Sequence, residues 1–348
     1  MSLSFTSSKV TAAAAMLLVT LAGASSASAQ RPASSTIGGQ SIFGGSYNID
    51  IYRVGTDFSA NPGTGVQLEP EGMVFHNGVL YVSGDGGATE TNGFLASYAG
   101  GNLGFLPSVI GPFISANAAG TLGRFGGEGI TINTRGAGYG SFGGTTPNIA
   151  SIDNVISGVG RQLAVMNLTG ISVQNQQNGF VNADDITFVL GTNASDDRFA
   201  IINAASAPVL RYYSTGSTPT LLAGGFALPL GAKGLLHLSA VDAAKFSALA
   251  TGEAFLVASS PEGALTTNRL TLYAMDGTLL VESMLPTGLG AGRLGNIEAI
   301  AFDSVTNRLF IGDEAGANSQ IAVLTIPSPA GAAMVAMAGL MIARRRRS

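Results

Sequence analysis

Acidic residues stand at the beginning of several strand-like segments, and they are the residues of this sequence best suited to chemistry. Glu71, Glu128 and Glu298 each precede an alternating apolar stretch, and Asp184 and Asp185 precede another. Ca²⁺ takes six to eight hard oxygen ligands in irregular geometry. Carboxylates that converge without a cation repel one another, which raises their pKa values or recruits one. We therefore predict a calcium site formed by Glu71, Glu128, Asp185 and Glu298. The alternative is that these carboxylates accept hydrogen bonds from neighbouring backbone at turns.

Other chemistry is sparse in this sequence. The chain has no cysteine, which excludes disulfides, thiolate metal sites and a cysteine nucleophile. Its two histidines, His76 and His237, each lack a second histidine at ligand spacing, so a zinc motif is absent and we interpret both as strand-edge or surface residues. Phosphate-binding loops, dinucleotide turns and the nucleophile elbow are also missing. The sequence thus predicts no catalytic residue and no cofactor besides the calcium ion.

The elements that would position the carboxylates recur at a long period. Five segments share a small or acidic residue followed by an alternating apolar strand, and they begin at Glu71, Glu128, Asp185, Gly234 and Glu298. These starts lie 57, 57, 49 and 64 residues apart. A period near 57 residues is too long for one hairpin and is typical of a four-stranded propeller blade with generous loops.

The repeat predicts an all-β fold, a β-propeller of five four-stranded blades. The last unit, from Asn296, is one strand short, and an unassigned strand runs from Tyr47 to Val54 before the first unit. Pairing these two would close the ring and remove an open sheet edge. A six-bladed ring is the alternative, because residues 136–160 are long enough to hold extra strands. A Greek-key sandwich would leave the period unexplained.

One hairpin is clear within the fourth unit. A strand-like run from Arg269 to Met275 and another from Thr278 to Glu282 flank Asp276 and Gly277. An Asp-Gly pair between two such runs predicts a type I′ turn.

The N-terminus has the pattern of a secretory signal peptide. Lys9 precedes an apolar stretch, and Ala27 and Ala29 occupy the small-residue positions before Gln30. We therefore expect residues 1–29 to form a signal-peptide helix that is removed after Ala29. The exported domain is then residues 30–326, which keep 12 Lys and Arg against 21 Asp and Glu, a formal charge of −9. This charge argues against a nucleic-acid partner.

The C-terminus, residues 327–348, combines three signals in a fixed order. A short motif, Pro327, Ser328 and Pro329, is followed by a 14-residue apolar run, which as a helix reaches about 21 Å. Four basic residues, Arg344, Arg345, Arg346 and Arg347, come next and would stay on the cytoplasmic side of a membrane. The order resembles the PEP-CTERM sorting signal of bacterial surface proteins, with serine in place of the glutamate of the name motif. The resemblance implies a short transmembrane helix and processing by an exosortase-like enzyme.

A second resemblance concerns the strands. The segments around Glu71 and Asp85, and around Glu298 and Glu314, are similar to a Glu-Gly-Ile and strand-Asp-Glu pattern in phytase-like and SdiA-regulated propellers. In phytase-like members such carboxylates hold calcium and phosphate, whereas residues 30–326 contain only two lysines, Lys233 and Lys245, for phosphate chemistry.

Two functions are compatible with these patterns. The first is a non-catalytic binding or structural protein of the cell surface or extracellular matrix, anchored in the inner membrane transiently or permanently by residues 327–348. Its partners would be an exosortase-like enzyme and exopolysaccharide or surface-matrix components. The second is a secreted calcium-dependent hydrolase, an esterase or phosphodiesterase that uses the channel carboxylates to hold metal and activate water. The sequence favours the first.

Overall fold

The computed structural model of this chain describes residues 30–55, 69–84, 94–112, 114–116, 122–124, 128–134, 136–142, 148–152, 163–167, 183–203, 207–215, 219–261, 267–287, 293–314 and 319–326. These residues form an all-β propeller of five blades, as the period predicts. The signal-peptide and transmembrane helices predicted for residues 1–29 and 327–348 lie outside this part of the chain.

Two N-terminal strands, β1 (Ser35–Ile42) and β2 (Gly45–Arg53), precede the first blade. Blades 1 to 4 are each built from four consecutive antiparallel strands. Blade 1 contains β3 (Gly72–His76), β4 (Val79–Gly84), β5 (Phe94–Ala99) and β6 (Ser108–Pro112). A two-stranded sheet, β7 (Ile114–Ala116) and β8 (Leu122–Arg124), follows it. Blade 2 contains β9 (Gly129–Ile132), β10 (Gly138–Phe142), β11 (Asn148–Ile152) and β12 (Leu163–Asn167).

The second half of the chain repeats the arrangement. Blade 3 contains β13 (Ala183–Val189), β14 (Arg198–Asn203), β15 (Val209–Ser214) and β16 (Phe226–Ala227). Blade 4 contains β17 (Ala232–Leu238), β18 (Ala254–Ser259), β19 (Asn268–Ala274) and β20 (Leu279–Leu285), with helix α1 (Ala240–Phe246) between its first two strands. Blade 5 contains β21 (Asn296–Asp303), β22 (Arg308–Glu314) and β23 (Gln320–Thr325).

Strand β2 completes blade 5. It pairs antiparallel with β23, with Ile49 opposite Leu324 and Ile51 opposite Ala322, and β1 continues the sheet outward as a fifth strand. The predicted closure of the ring by the N-terminal strand is confirmed. The six-bladed alternative is wrong, because the ring closes with five blades, and the strands that the structure describes within residues 136–160 are β10 and β11 of blade 2.

The apolar core is divided among the interfaces between neighbouring blades. Alternating side chains from each blade pack against the next, and the five buried clusters among the described side chains correspond to the five interfaces. The largest lies between blades 4 and 5, where Phe246 of α1 packs edge-on against Phe43 and Phe302 at 5.3 and 5.1 Å. Because every sheet is covered on both faces, the inner strands are fixed relative to one another.

The Asp276-Gly277 hairpin is present, but its turn differs from the predicted type I′. Only Gly277 of the pair has a positive φ, 87°, and the Gly277 N–H donates to the carbonyl of Ala274 at 2.9 Å. Asp276 instead accepts a hydrogen bond from the Thr278 N–H at 2.9 Å, which favours an ordinary turn that ends on a left-handed glycine. The strands therefore pair with a register shift beside Leu272 and Tyr273.

Candidate functional site

The inner strands of the five blades present one charged side chain each at the same level of the channel. Glu71 and Glu128 directly precede β3 and β9. In β13, β17 and β21 the pairing skips one residue, so that Asp184, Lys233 and Glu298 bulge out of the ladder at the corresponding place. The channel end is thus surrounded by four carboxylates and one ammonium group.

Close contacts between neighbouring blades keep these positions together. A Cβ atom on Gly72 would lie 2.6 Å from Gly129 Cα, and one on Gly234 would lie 2.7 Å from the carbonyl oxygen of Glu298. Such separations are shorter than side chains tolerate, so glycine is required directly after Glu71 and directly after Lys233. The Glu-Gly pairs visible in the sequence are therefore a packing requirement of the channel wall.

Glu298 is the centre of a hydrogen-bonded network that joins blades 1, 4 and 5. Its Oε1 atom accepts a hydrogen bond from Asn296 Nδ2 at 2.6 Å and lies 3.1 Å from Lys233 Nζ. Glu71, from blade 1, shares a further hydrogen bond with Glu298. Both carboxyl groups are buried, with residue exposures of 5% for Glu298 and 7% for Glu71.

The pKa values of these two carboxyls shift in opposite directions. Burial and the negative charge of Glu298 raise the pKa of Glu71 well above its usual value. Burial also acts to raise the pKa of Glu298, but the hydrogen bonds from Glu71 and Lys233 together with the Lys233 charge lower it overall. The pair is consistent with one shared proton, carried by Glu71, next to an ionised Glu298.

Two further glutamates, which the sequence prediction missed, complete the cluster. Glu314 ends β22, and its Oε2 accepts a hydrogen bond from Asn296 Nδ2 at 2.7 Å. One carboxylate oxygen from each of Glu69, Glu71 and Glu314 lies within 4.8 Å of the others. Burial and the charge of Glu298 raise the pKa of Glu314 to about 7. The strand-Asp-Glu segment that ends at Glu314 could have indicated this glutamate as a ligand, whereas no sequence pattern pointed to Glu69.

Lys233 is the basic member of the ring. Burial acts to lower its pKa, but the surrounding charges of Glu298, Asp184 and Glu71 outweigh burial and raise it. Lys233 is therefore cationic at neutral pH, and it compensates part of the negative charge at the channel end.

Asp185 is used differently from the ring residues. Its Oδ1 accepts the Ile186 N–H at 2.7 Å and its Oδ2 accepts the Leu235 N–H of blade 4 at 2.6 Å. The carboxyl is fully buried, and burial raises its pKa well above the usual value although both backbone hydrogen bonds act to lower it. Both oxygens are thus already engaged, and Asp184 takes the position in the ring that corresponds to Glu71, Glu128 and Glu298.

Glu128 interacts electrostatically with carboxyls on both sides of it, Glu71 of blade 1 and Asp185 of blade 3. It is partly buried, and its charge raises the pKa values of both Glu71 and Asp185. Of the four predicted calcium ligands, Glu71 and Glu298 are therefore hydrogen-bonded to each other. Glu128 influences its neighbours through its charge, and both oxygens of Asp185 accept hydrogen bonds from backbone N–H groups.

The histidines stand apart from the cluster. His76 ends β3, where its Nε2 contacts Asn77 Nδ2 at 2.9 Å. His237 of β17 lies 3.5 Å from Glu253 through its Nε2 and packs its ring on Phe255 at 5.6 Å. Burial lowers the pKa of both rings.

The sequence-predicted features of the termini fall outside the described residues. These are the signal-cleavage residues Ala27 and Ala29, the motif Pro327, Ser328 and Pro329, and the basic residues Arg344 to Arg347. In the part of the chain that the structure describes, no helix is long and apolar enough to cross a bilayer.

Comparisons with known proteins concern the fold. Neither a protein-family model nor a curated protein matches the sequence. Among solved structures, the chain is similar to a glutaminyl cyclase of Myxococcus xanthus, with 12% identity, a TM-score of 0.45, and coverage of 80% of this chain and 95% of the other. It is similar to an exo-β-1,3-galactanase of Phanerochaete chrysosporium, with 8% identity, a TM-score of 0.49, and coverage of 78% and 63%. It is also similar to the Dos1 propeller, with 11% identity, a TM-score of 0.36, and coverage of 71% of this chain and 53% of the other. At these identities the likeness is one of fold, and the chain is a five-bladed β-propeller.

Proposed function

We propose that this protein is an exported binding module of the cell envelope that takes a Ca²⁺ ion at the end of its propeller channel. The observation that carries the proposal is the convergence of Glu69, Glu71 and Glu314, whose oxygens lie within 4.8 Å of one another. Holding one buried and two half-buried carboxyls this close together is unfavourable unless protons or a cation compensate them.

The donor set suits a hard cation with an irregular shell. Three carboxylates supply up to six oxygens, which is the lower limit of calcium coordination, and water molecules would supply any further ligands. Glu298 would contribute negative charge near the ion without being a ligand, because its Oε1 contacts Asn296 and Lys233. Asp185 would not be a ligand, since two backbone N–H groups occupy its oxygens.

The termini support the location we propose. Residues 1–29 have the order of a signal peptide, and residues 327–348 have the order of a sorting and anchoring segment. We propose export, retention at the inner membrane through residues 327–348 and processing by an exosortase-like enzyme. Exopolysaccharide or matrix components would then be the partners, and the charge of −9 on residues 30–326 disfavours nucleic acid.

Calorimetric titration with CaCl₂ at pH 8 tests the cation site. We expect one ion per chain, and we expect Glu314→Gln to weaken binding at least about tenfold because a charged ligand is lost. Glu282→Gln is the matched control, since Glu282 is a half-exposed carboxylate that pairs with Arg269 on blade 4. Absence of stoichiometric heat in the wild type, or equal binding by the Glu314 variant, would reject the site.

Mass spectrometry of both termini of the native protein tests the location. Loss of residues 1–29 together with a new C-terminus near Pro327 is the expected result. A protein that retains Met1 in the cytoplasm would reject export.

A hydrolase is the second candidate, and one observation favours it. The pKa of Glu314 is about 7 while that of neighbouring Glu298 is lowered, and such a division of pKa values is typical of an acid and base pair. It ranks second because Glu298 is held by donors from Asn296, Lys233 and Glu71, which reduces its basicity. Turnover of p-nitrophenyl phosphate or p-nitrophenyl acetate with Ca²⁺, lost in Glu298→Gln, would place this candidate first.

A further inference from the structure

A second recess lies far from the channel end, in the cleft between the outer part of blade 5 and the turn after β5 of blade 1. Its volume is about 360 Å³, near the lower limit of the roughly 300–1,000 Å³ that ligand pockets occupy. Asn48, Asp50, Tyr52, Asn102 and Arg308 are among the residues that line it. Nothing in the cation proposal uses these side chains.

The polar wall of this cleft follows from the alternation of β2. Ile49 and Ile51 point into the core between blades 4 and 5, so Asn48, Asp50 and Tyr52 point to the other face, toward blade 1. In the neighbouring strand, Val323 lies opposite Asp50 and extends the same face. One strand thus presents an amide, a carboxylate and an aromatic ring side by side.

The opposite wall is held in place by Arg308. Its guanidinium donates to the carbonyl of Gly100 at 2.5 Å and to the carbonyl of Gly101 at 3.3 Å, and it pairs with Asp303 at 3.1 Å. Gly101 in turn packs against the ring of Phe310, where a Cβ atom would lie 2.7 Å from the ring. The cleft is therefore shaped before any ligand arrives, which lowers the entropic cost of binding.

Several hydrogen-bonding groups of the cleft keep capacity for a ligand. Asp50 Oδ1 accepts from Thr36 Oγ1 at 2.7 Å and Asn102 Oδ1 accepts from the Gly104 N–H at 3.0 Å. Within the described residues, no group donates to Asp50 Oδ2 and no group accepts from Asn102 Nδ2. An acceptor and a two-hydrogen donor therefore flank the ring of Tyr52 across the cleft.

The chemistry of the lining narrows the class of ligand. Arg308 donates to two backbone carbonyls and to Thr306, and its charge is paired with Asp303. Asp50 adds a negative charge, so the cleft lacks the positive potential that a phosphate or carboxylate requires. An apolar ligand would leave the carboxylate and amides without partners. A neutral ring that carries several hydroxyls satisfies acceptor and donor together and places its C–H face on an aromatic ring.

We propose that this cleft binds a neutral saccharide unit, with Asp50 accepting and Asn102 donating hydrogen bonds to hydroxyls and Tyr52 covering one face of the sugar. The inference rests on the proposed function only for the choice of exopolysaccharide as partner, and it is independent of the cation site. It gives that partner a defined position on the junction of blades 1 and 5.

Saturation-transfer NMR and calorimetry with the full-length chain test the proposal, using the methyl glycosides of glucose, galactose, mannose and N-acetylglucosamine as probes. Measurements in EDTA keep the result independent of Ca²⁺. We expect at least one glycoside to bind with a Kd of about 1–10 mM, as one sugar unit with a few hydrogen bonds would. Failure of every glycoside to give saturable binding up to about 50 mM overturns the proposal, whatever the outcome of the calcium titration.

Two variants and one control locate the binding. Asp50→Asn removes the charge at constant shape, and Asn102→Asp removes the Nδ2 donor while keeping an oxygen that accepts the Gly104 N–H. We expect each to weaken the glycoside at least about fivefold, the effect of one lost hydrogen bond, with unchanged melting temperature. Glu253→Gln alters a carboxylate in the cleft between blades 3 and 4 and should leave binding unchanged. Equal weakening by the control, or full binding by both variants, overturns the assignment.

Discussion

Two buried carboxyls of the propeller, Asp185 and Glu298, occupy neighbouring levels of the same channel wall and yet have different surroundings. Asp185 is held by the N–H groups of Ile186 and Leu235, whereas Glu298 is held by the side chains of Glu71, Asn296 and Lys233. The backbone N–H groups that hold Asp185 do not change their charge with pH, whereas the ionisable side chains around Glu298 can gain or lose protons. Burial alone therefore does not define a site. The partners determine whether a carboxylate joins two blades or responds to protons and cations.

The two regions also differ in what they connect. Around Asp185, the Phe188 N–H donates to Thr131 and the His237 N–H donates to Thr187, each at 3.1 Å, so blades 2, 3 and 4 are joined by hydrogen bonds between main chain and side chain. Around Glu298, the junction of blades 4, 5 and 1 depends on several ionisable groups. We therefore expect the first region to govern stability and the second to govern its response to pH and calcium.

The largest effect is expected from Asp185→Ala. The substitution leaves the buried N–H groups of Ile186 and Leu235 without an acceptor, and we expect the free energy of unfolding to fall by about 3–5 kcal/mol. Guanidinium denaturation measures it. Asp196→Asn, on an exposed turn of blade 3, is the control and should change stability by less than about 0.5 kcal/mol. A loss below about 1 kcal/mol for Asp185→Ala would contradict the role of this carboxyl.

Gly129→Ala tests how tightly the same region is packed. The added Cβ would lie 2.3 Å from Asp185 Oδ1 and 2.8 Å from Asp185 Cα, so blades 2 and 3 must separate. We expect a loss of about 2–3 kcal/mol. Gly252→Ala is the matched control, since no atom lies within 4 Å of its Cβ position. If both variants unfold at the same denaturant concentration, the channel wall is looser than the distances indicate.

The Glu298 region should respond to pH through Glu314. The pKa of Glu314 is about 7 in the folded chain against 4.5 ordinarily, so the folded state holds a proton that the unfolded state has released. Its contribution to stability is therefore present below pH 4.5 and is lost as the pH rises through about 7. The shift corresponds to about 3 kcal/mol, which solvent screening of the half-buried Glu314 reduces to about 2 kcal/mol. Glu314→Gln should lose less stability than the wild type between pH 5 and pH 8. Denaturation at the two pH values checks this, and parallel losses in both proteins would contradict it.

Thr187→Val is expected to have the smallest effect. It removes the acceptor of the His237 N–H at 3.1 Å while keeping the shape of the side chain, and we expect a loss of about 1 kcal/mol. Thr251→Val, on an exposed turn, serves as the control. Calorimetric melting of both variants at pH 5 and pH 8 sharpens the comparison, because the Thr187 effect should not depend on pH.

Much of the fold could be predicted from the sequence. The repeated units, the incomplete last blade and the unassigned strand from Tyr47 to Val54 are local patterns, and five blades closed by β2 follow from them. The turn at Asp276 and Gly277 was predicted as a hairpin but with the wrong turn type. A dipeptide indicates that the chain reverses, whereas the backbone angles depend on how the flanking strands are twisted and paired.

The sequence by itself determined that a small or acidic residue begins each inner strand and that glycine directly follows Glu71 and Glu128. Only the tertiary structure decided which acids meet. A bulge in β13 assigns Asp184 to the ring and turns Asp185 toward the backbone of blade 4, because one inserted residue reverses the direction in which side chains point. Glu314 reaches Glu71 from another blade because the ring closes there. Contacts between strands distant in sequence depend on that closure, and no local pattern encodes them.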